Sequence, residues 1–290
     1  MTRIEWTDAV WNPVTGCTKV STGCRNCYAE RIAGRMWGKQ YGGRKFTEVR
    51  CHEDRLDIPL RWRKPRRVFV NSMSDLFHES VPAHFIGRVF GIMAAAHHHT
   101  FQVLTKRPER MRQLLHAEVI GPLKGEAVQT AWEFSGRTTP AKAWRMHWPW
   151  PNVWLGVSCE DQKAADERVP LLLQTPAAVR FLSCEPLLGP ISLRHIDADA
   201  AGHQDICQVD ALTGRHTDMG RPCADVARID WVIAGGESGP GHRPMDIEWA
   251  RSLREQCRGA GVPFFFKQVA GLRPGLGVDA LGEVVQEFPA

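Results

Sequence analysis

The sequence predicts an α/β fold, a partial parallel (β/α) barrel with two long loop insertions, and three observations carry that expectation. Short apolar runs rich in β-branched and aromatic residues alternate along the chain with helical patterns. The runs are continuous rather than alternating, as in strands buried on both faces. Each run ends in polar or glycine residues, as strands do that deliver side chains to a catalytic mouth.

The elements follow in order. A first strand is expected near Ala9–Val14, then a cysteine-bearing loop and a helix continuing over Ala29–Trp37. Val68–Asn71 reads as a strand and Pro82–His97 as the helix after it. Phe101–Thr105 and Pro108–Leu115 repeat the unit, as do Val153–Ser158 and Asp161–Gln174. Val179–Ser183, Trp231–Ala234 with helix Ile247–Ala260, and Pro263–Lys267 bring the count to about seven strands, whose alternation with helices implies a parallel sheet with right-handed crossovers. Polar tips gather at the strand ends: Asn71, Ser72 and Asp75; Thr105, Lys106 and Arg107; Ser158 and Glu160; Ser183 and Glu185; Glu237 and Ser238; Lys267 and Gln268. Two segments break the rhythm. Residues 124–151 carry Trp132, Trp144, Trp148 and Trp150 among prolines, and residues 198–226 are rich in Gly, Asp and His without periodicity. Both read as insertions into one elaborated domain spanning residues 1–290.

The 290 residues, 43% of them hydrophobic, suffice for one large core. Met1–Asp8 has no apolar leader, and no stretch reaches the ~18 apolar residues of a membrane span. The chain is therefore expected to be soluble and cytoplasmic, without a membrane partner. Nine cysteines in that setting argue against a disulfide framework and leave metal binding, catalysis or packing. The net charge of +5 gathers in Arg61–Arg67 and Lys106–Arg110. Such runs follow a phosphate backbone or simply face solvent, so nucleic acid is an allowed partner.

The sharpest local feature is Cys17, Cys24 and Cys27 in a C-x6-C-x2-C arrangement. Three soft thiolates this close suit iron–sulfur or zinc. Gly16 and Gly23 each precede a candidate ligand and let the backbone bend tightly. A structural zinc normally has four protein ligands, so zinc here needs a distant fourth, a histidine or Cys51. A cubane held by three cysteines instead keeps one iron open to a cofactor. Three thiols merely packing a loop are the remaining reading.

Six strings carry a resemblance: TGC-x6-C-x2-CYAER at Thr15–Arg31, RWRKPRRVFVNSMSDLFHE at Arg61–Glu79, LTKRPERM at Leu104–Met111, GVSCEDQ at Gly156–Gln162, FLSCEPLLGPI at Phe181–Ile191 and WVIAGGESGPGHRPM at Trp231–Met245. On them the chain resembles, over close to its full length, an uncharacterised phage- and prophage-associated family with a radical-SAM-like three-cysteine motif. The resemblance implies a partial barrel similar to radical S-adenosylmethionine (SAM) enzymes. It also implies a [4Fe-4S] cluster on Cys17, Cys24 and Cys27, SAM on the open iron, and a reducing partner such as flavodoxin or ferredoxin. The implied chemistry is hydrogen abstraction by a SAM-derived radical from an unknown substrate, with a nucleobase, nucleotide or nucleic acid among the candidates. Most of that superfamily spaces its cysteines C-x3-C-x2-C with an aromatic residue before the third; here Asn26 holds that place and Tyr28 follows, as the candidate adenine contact. The usual glycine-glycine-glutamate after the second strand is replaced by Asn71-Ser72-Met73-Ser74-Asp75, and Gly235-Gly236-Glu237 comes at a late strand.

Asn71, Ser72 and Asp75 could offer acceptors to a SAM ammonium or ribose, or cap the next helix. Glu185 is an acidic strand tip, for the site or for structural hydrogen bonding. Gly235 and Gly236 could admit a ligand close to the backbone, with Glu237 beside it, or form a tight turn. Lys106, Arg107, Lys267 and Gln268 could neutralise or hydrogen-bond a ligand. His97–His99 sits at a helix end, where histidines also meet the dipole. His203, Cys207, His216 and Cys223 could form a zinc knuckle, and Cys159, Cys184 and Cys257 read as core or rim thiols. No catalytic residue is assigned. The rival functions are a zinc- or cluster-binding nucleic-acid-associated protein without SAM chemistry, and a metal-free barrel hydrolase using Glu185 and Glu237.

Overall fold

Seven parallel strands form a half-barrel in which every strand pairs with the next one in the chain. They are β1 (Ala9–Trp11), β2 (Arg67–Val70), β3 (Thr100–Thr105), β4 (Val153–Ser158), β5 (Val179–Cys184), β6 (Trp231–Ala234) and β7 (Phe264–Phe266). The helices are α1 (Tyr28–Gln40), α2 (Ala83–Ala95), α3 (Pro108–Leu115), α4 (Ile120–Ser135), α5 (Gln162–Gln174) and α6 (Ile247–Ala260). This computed structural model describes residues 4–40, 43–116, 120–135, 148–197, 208–218, 221–222 and 227–289.

Alternation along each strand separates two cores. Val68 and Val70, Phe101 and Val103, Val153 and Leu155, Leu182 and Cys184, Val232 and Ala234, and Phe264 and Phe266 face the helices in one large cluster. The intervening residues Phe69, Leu104, Trp154, Phe181, Trp231, Ile233 and Phe265 turn inward and fill the lumen around Trp6. The ring of Trp6 lies 4.6 Å from Phe69 and 6.3 Å from Trp231, centre to centre. The amino end of the barrel is therefore plugged with aromatic rings, and a cavity opens where the strands end. Gly156 belongs to this layer for a steric reason: a Cβ there would sit 2.6 Å from the Phe181 ring. Gly156→Ala should consequently destabilise the fold by ~1–3 kcal/mol through overpacking, seen as a lower melting temperature, and an unchanged melt would mean that the lumen is not packed this way.

Local chemistry explains where the helices start and stop. Asp161 accepts from the Ala164 N–H at 2.9 Å to begin α5, and Asp246 accepts from the Glu248 N–H to begin α6. Gly261, at φ 66°, ends α6 in the left-handed region. Helix α2 meets α4 closely because Gly91 carries no Cβ to strike the Ala127 carbonyl.

Two differences from the sequence reading lie in the insertions. Residues 124–135, expected as loop, belong to helix α4, whose Gly121, Pro122 and Gly125 obscure its pattern and whose buried Leu123, Ala127 and Val128 pack it. In the second insertion the short antiparallel segments Ile196–Asp197, Gln208–Asp210, Arg215–Asp218 and Arg221–Pro222 form a small sheet. Strands of two to four residues are too short to show alternation in sequence. His216 lies on the third of these segments, while His203, Cys207 and Cys223 fall outside the described residues, as does Trp144 of the first insertion.

The basic run Arg61–Arg67 precedes β2 and so lies at the amino end of the sheet, opposite the strand tips. Arg61 pairs with Asp57 and Arg67 with Asp8, and Arg66 stacks 5.0 Å above Trp62. His98 and His99 contact the Trp62 and Pro59 carbonyls at the same end. Among the described residues no helix is long and apolar enough to cross a membrane.

Candidate functional site

The cysteine loop is built by short-range geometry just beyond β1. Val14 and Thr15 pair antiparallel with Cys51 and Arg50. Gly16 then turns at φ 91°, where a Cβ would lie 2.6 Å from the Glu48 carbonyl, so only glycine fits. The Cys17 N–H donates to the Phe46 carbonyl at 2.9 Å, a 3-10 turn spans Thr22–Cys24, and Cys27 immediately precedes α1. All three cysteines are half-buried free thiols, and all three line one cavity of about 310 Å³ at the carboxyl rim of the half-barrel. That volume is at the lower end of the ~300–1,000 Å³ usual for small-molecule sites.

Strand tips grip this loop. Glu160, one residue past Cys159 and 1% exposed, accepts the Gly23 N–H at 3.3 Å, pairs with Arg168 at 2.9 Å and has the Lys106 ammonium 3.5 Å away. Burial opposes its charge, yet Lys106 and Arg168 hold its carboxyl down at about 2. Glu237, beyond β6, accepts from Asn26 Nδ2 at 2.8 Å and from the Arg243 backbone and guanidinium, and Arg243 also reaches the Thr22 carbonyl. Despite partial burial these donors keep Glu237 below the usual carboxylate range.

Arg107 holds the other end of the loop. It donates to the Thr18 carbonyl at 3.2 Å and hydroxyl at 2.9 Å, lies 3.6 Å from Cys17 Sγ, and pairs with Asp75 and Glu79. Burial, and then the Asp75 carboxylate, push the Cys17 thiol up to about 11 against the pull of Arg107. Burial also raises Cys27. Among the described residues no three His, Cys, Asp or Glu side chains converge closely enough to hold a single metal ion. The three thiols share a cavity wall rather than forming a closed one-ion cage.

The structure brings nearly all the residues expected at the site to this cavity: Tyr28, Asn71, Ser72, Asp75, Glu185, Gly236 and Glu237 line it with Cys17, Cys24 and Cys27. Their contacts divide them. Asp75 accepts from the Thr105 hydroxyl and from the Phe77 and Lys106 N–H groups besides Arg107, so its oxygens tie the β2 and β3 ends together, as those of Glu237 tie β6 to the cysteine loop. Asn71 is 2% exposed with φ 63°, and its Oδ1 accepts the Val14 N–H at 3.2 Å. Glu185 has Lys267 Nζ 2.9 Å from Oε1, an ion pair without hydrogen-bond alignment. Burial works against the Lys267 charge, but the Glu185 carboxylate holds the ammonium above its ordinary range. Gly235 packs beneath Glu185, and Gly236 lets β6 and β7 touch, its N–H donating to the Gln268 carbonyl at 2.9 Å.

Sequence reasoning did not single out Trp6, Arg168 or Arg243, noted Asn26 only as the residue before the third cysteine, and left Glu160 as one strand tip among many. Glu160 stands at the end of a strand, which was a usable signal; Trp6 had none. Cys159, Cys184 and Cys257 are fully buried core thiols, and Cys51 does not line the cavity. The family model described as "Protein of unknown function (DUF5131)" matches residues 1–279, and the chain belongs to that family. No curated protein and no solved structure matches it.

Proposed function

We propose that this DUF5131 protein is a radical SAM enzyme whose Cys17, Cys24 and Cys27 hold a [4Fe-4S] cluster beside a cavity for SAM and substrate. One observation carries the reading. Three thiols on the loop after β1 and the polar tips of β2, β4, β5, β6 and β7 line a single cavity on the carboxyl rim of a parallel half-barrel. That rim is where parallel barrels place their chemistry.

The residues present suit the group. Three soft thiols on one cavity wall suit a cluster that keeps one iron for a cofactor. Arg107 beside Cys17 Sγ offsets ligand charge, as donors near cluster sulfurs do. When bound, cluster and SAM would supply reductive cleavage of the sulfonium and hydrogen abstraction from carbon; an electron donor such as flavodoxin or ferredoxin would feed it. The chain's own residues bind, orient and exclude water. Phe46, Phe69, Leu104 and Pro274 give the cavity apolar walls, while Ser72 and Glu185 offer oxygens to the cofactor and Tyr28 flanks the third cysteine at the mouth. Asp75 and Glu237 act as positioning residues, because protein donors already occupy their oxygens.

The test is spectroscopic. Protein reconstituted and reduced without oxygen should change its electron paramagnetic resonance spectrum on addition of SAM, and should release 5′-deoxyadenosine and methionine slowly without substrate. A fully loaded, reduced cluster whose spectrum ignores saturating SAM refutes the assignment, and a colourless protein carrying one tightly bound zinc establishes the structural-metal alternative.

A further inference from the structure

A dense run of positive charge lies away from the cavity. Arg61, Arg63, Lys64, Arg66 and Arg67 place five cations within one short segment, as many as the net charge of +5 carried by the whole chain. The segment joins a 3-10 turn that ends at Arg61 to β2, which begins at Arg67. Contacts with the turn between α2 and β3 hold it in place. The Thr100 N–H donates to the Arg66 carbonyl at 2.9 Å, His98 Nε2 lies 2.9 Å from the Trp62 carbonyl, and the Trp62 and His99 rings meet at 5.7 Å. The cations are thus mounted on the starts of two neighbouring strands.

The ends of the run are neutralised and its middle is not. Arg61 pairs with Asp57 at 2.6 Å and Arg67 with Asp8 at 3.2 Å. Arg63, Lys64 and Arg66 are exposed, and among the described residues none of them has a carboxylate within ion-pairing distance. Arg66 instead lies 5.0 Å from the centre of the Trp62 ring. Like charges held together without counter-charges favour a polyanion, and the side chains say which kind. Four of the five cations are arginine, whose planar fork matches phosphate oxygens in pairs. No large apolar side chain of residues 58–67 or 97–100 is exposed, so the face lacks both the apolar anchor of a membrane surface and the apolar centre of a protein interface.

We propose that this amino-end face binds the phosphodiester backbone of a nucleic acid, with Arg63, Lys64 and Arg66 as the phosphate contacts and without reading base sequence. It is a site separate from the cavity, which opens at the other end of the strands. The inference does not rest on the radical reading, since none of its residues touches the cysteine loop. Double- and single-stranded nucleic acid share the chemistry.

The full-length protein is titrated by fluorescence anisotropy against a labelled DNA duplex of about two helical turns, and against one of its strands alone, at salt concentrations from 50 to 200 mM. Three phosphate contacts, at a log–log slope of about −0.9 each, predict that duplex affinity falls about 40-fold over that range. Arg63→Gln/Lys64→Gln/Arg66→Gln should remove most of the salt dependence and weaken binding at 50 mM by about tenfold or more. Arg63→Gln/Lys64→Gln, which keeps Arg66 over Trp62, should remove about two-thirds of the slope and decides alone if the triple variant folds poorly. Arg251→Gln/Arg254→Gln/Arg258→Gln takes the same charge from α6 and should bind as the parent does. Tighter binding of duplex or of single strand names the preferred form, and equal binding assigns the site to the backbone of either. The inference is overturned if neither DNA binds at 50 mM salt, if the variants of the run bind as the parent does, or if the α6 variant loses as much as they do, which would make net charge the cause. Phosphatidylserine vesicles that bind where DNA does not would overturn it in favour of a membrane surface.

Discussion

Alanine at Cys17, Cys24 or Cys27 should each take the iron content of anaerobically reconstituted protein from about four atoms per chain to nearly none. Cys51→Ala, Cys159→Ala, Cys184→Ala and Cys257→Ala should leave it intact. The contrast follows from placement. The first three thiols share one cavity wall on a loop whose backbone is fixed by Gly16, Phe46 and Glu160. Cys159, Cys184 and Cys257 are wholly buried among the apolar side chains that face the helices, away from the cavity wall. Cys51 sits across from Val14 and does not line the cavity. Iron and sulfide assayed per chain, with circular dichroism to confirm folding, decide the matter. Retention of iron in a Cys24→Ala protein, or its loss in Cys51→Ala, would show that the ligand set is assigned wrongly.

The fold was legible because a parallel barrel writes itself plainly: Val153–Ser158 and Trp231–Ala234 are apolar on both faces and end in polar tips, and both are strands within those bounds. The rim was legible for the same reason, since a strand's last residue and the one after it must face the mouth. What sequence could not show is which tips keep free oxygens. Asp75 and Glu185 look alike as acidic residues past strand ends, yet Asp75 is enclosed by Thr105, Lys106 and Arg107 of the neighbouring tip, whereas among the described residues the Glu185 carboxylate meets Lys267 and a distant Ser183 hydroxyl. That distinction comes from register between β2 and β3, which no local pattern encodes. Trp6 was illegible because its role depends on a whole barrel closing around it. Lys106 and Arg107 read either as cations for a ligand or as a solvated helix start; both turn inward, to Glu160 and Asp75.

The loop that bears the cysteines is short of regular structure, so its order must come from outside it. Arg107 fixes Thr18, Glu160 fixes Gly23, Arg243 fixes Thr22, Glu237 fixes Asn26, and Arg31 reaches from α1 to the Ser238 carbonyl at 2.6 Å. These contacts join the loop and the start of α1 to the tips of β3 and β4 and to the segment after β6. Preorganisation of this kind fixes the positions of the three thiols through partners outside the loop, and several of those partners also line the cavity.

Glu160 is the contact whose loss should be felt most. Its carboxylate is the counter-charge for Arg168, itself 7% exposed, and it stands beside Lys106. Removing one partner of a buried pair leaves the other uncompensated, at a cost of ~3–5 kcal/mol. Glu160→Gln should therefore lower the unfolding free energy measured by urea titration at pH 7 by an amount of that order, and amide exchange should quicken at Gly23, Cys24 and neighbouring residues as the loop loses its acceptor. The pH dependence fixes the cause. The folded carboxyl titrates near 2, far below its ordinary 4.5, so folding favours the ionised form. Its contribution is fully present above the ordinary value and declines as pH falls from about 4.5 toward 2. The stability gap between parent and Glu160→Gln should accordingly be constant from pH 8 to pH 6, narrow below pH 4.5, and close near pH 2. A gap that persists unchanged into acid would mean that side-chain shape rather than charge holds the loop, and a Gln variant as stable as the parent at pH 7 would show that Arg168 and Lys106 find other partners.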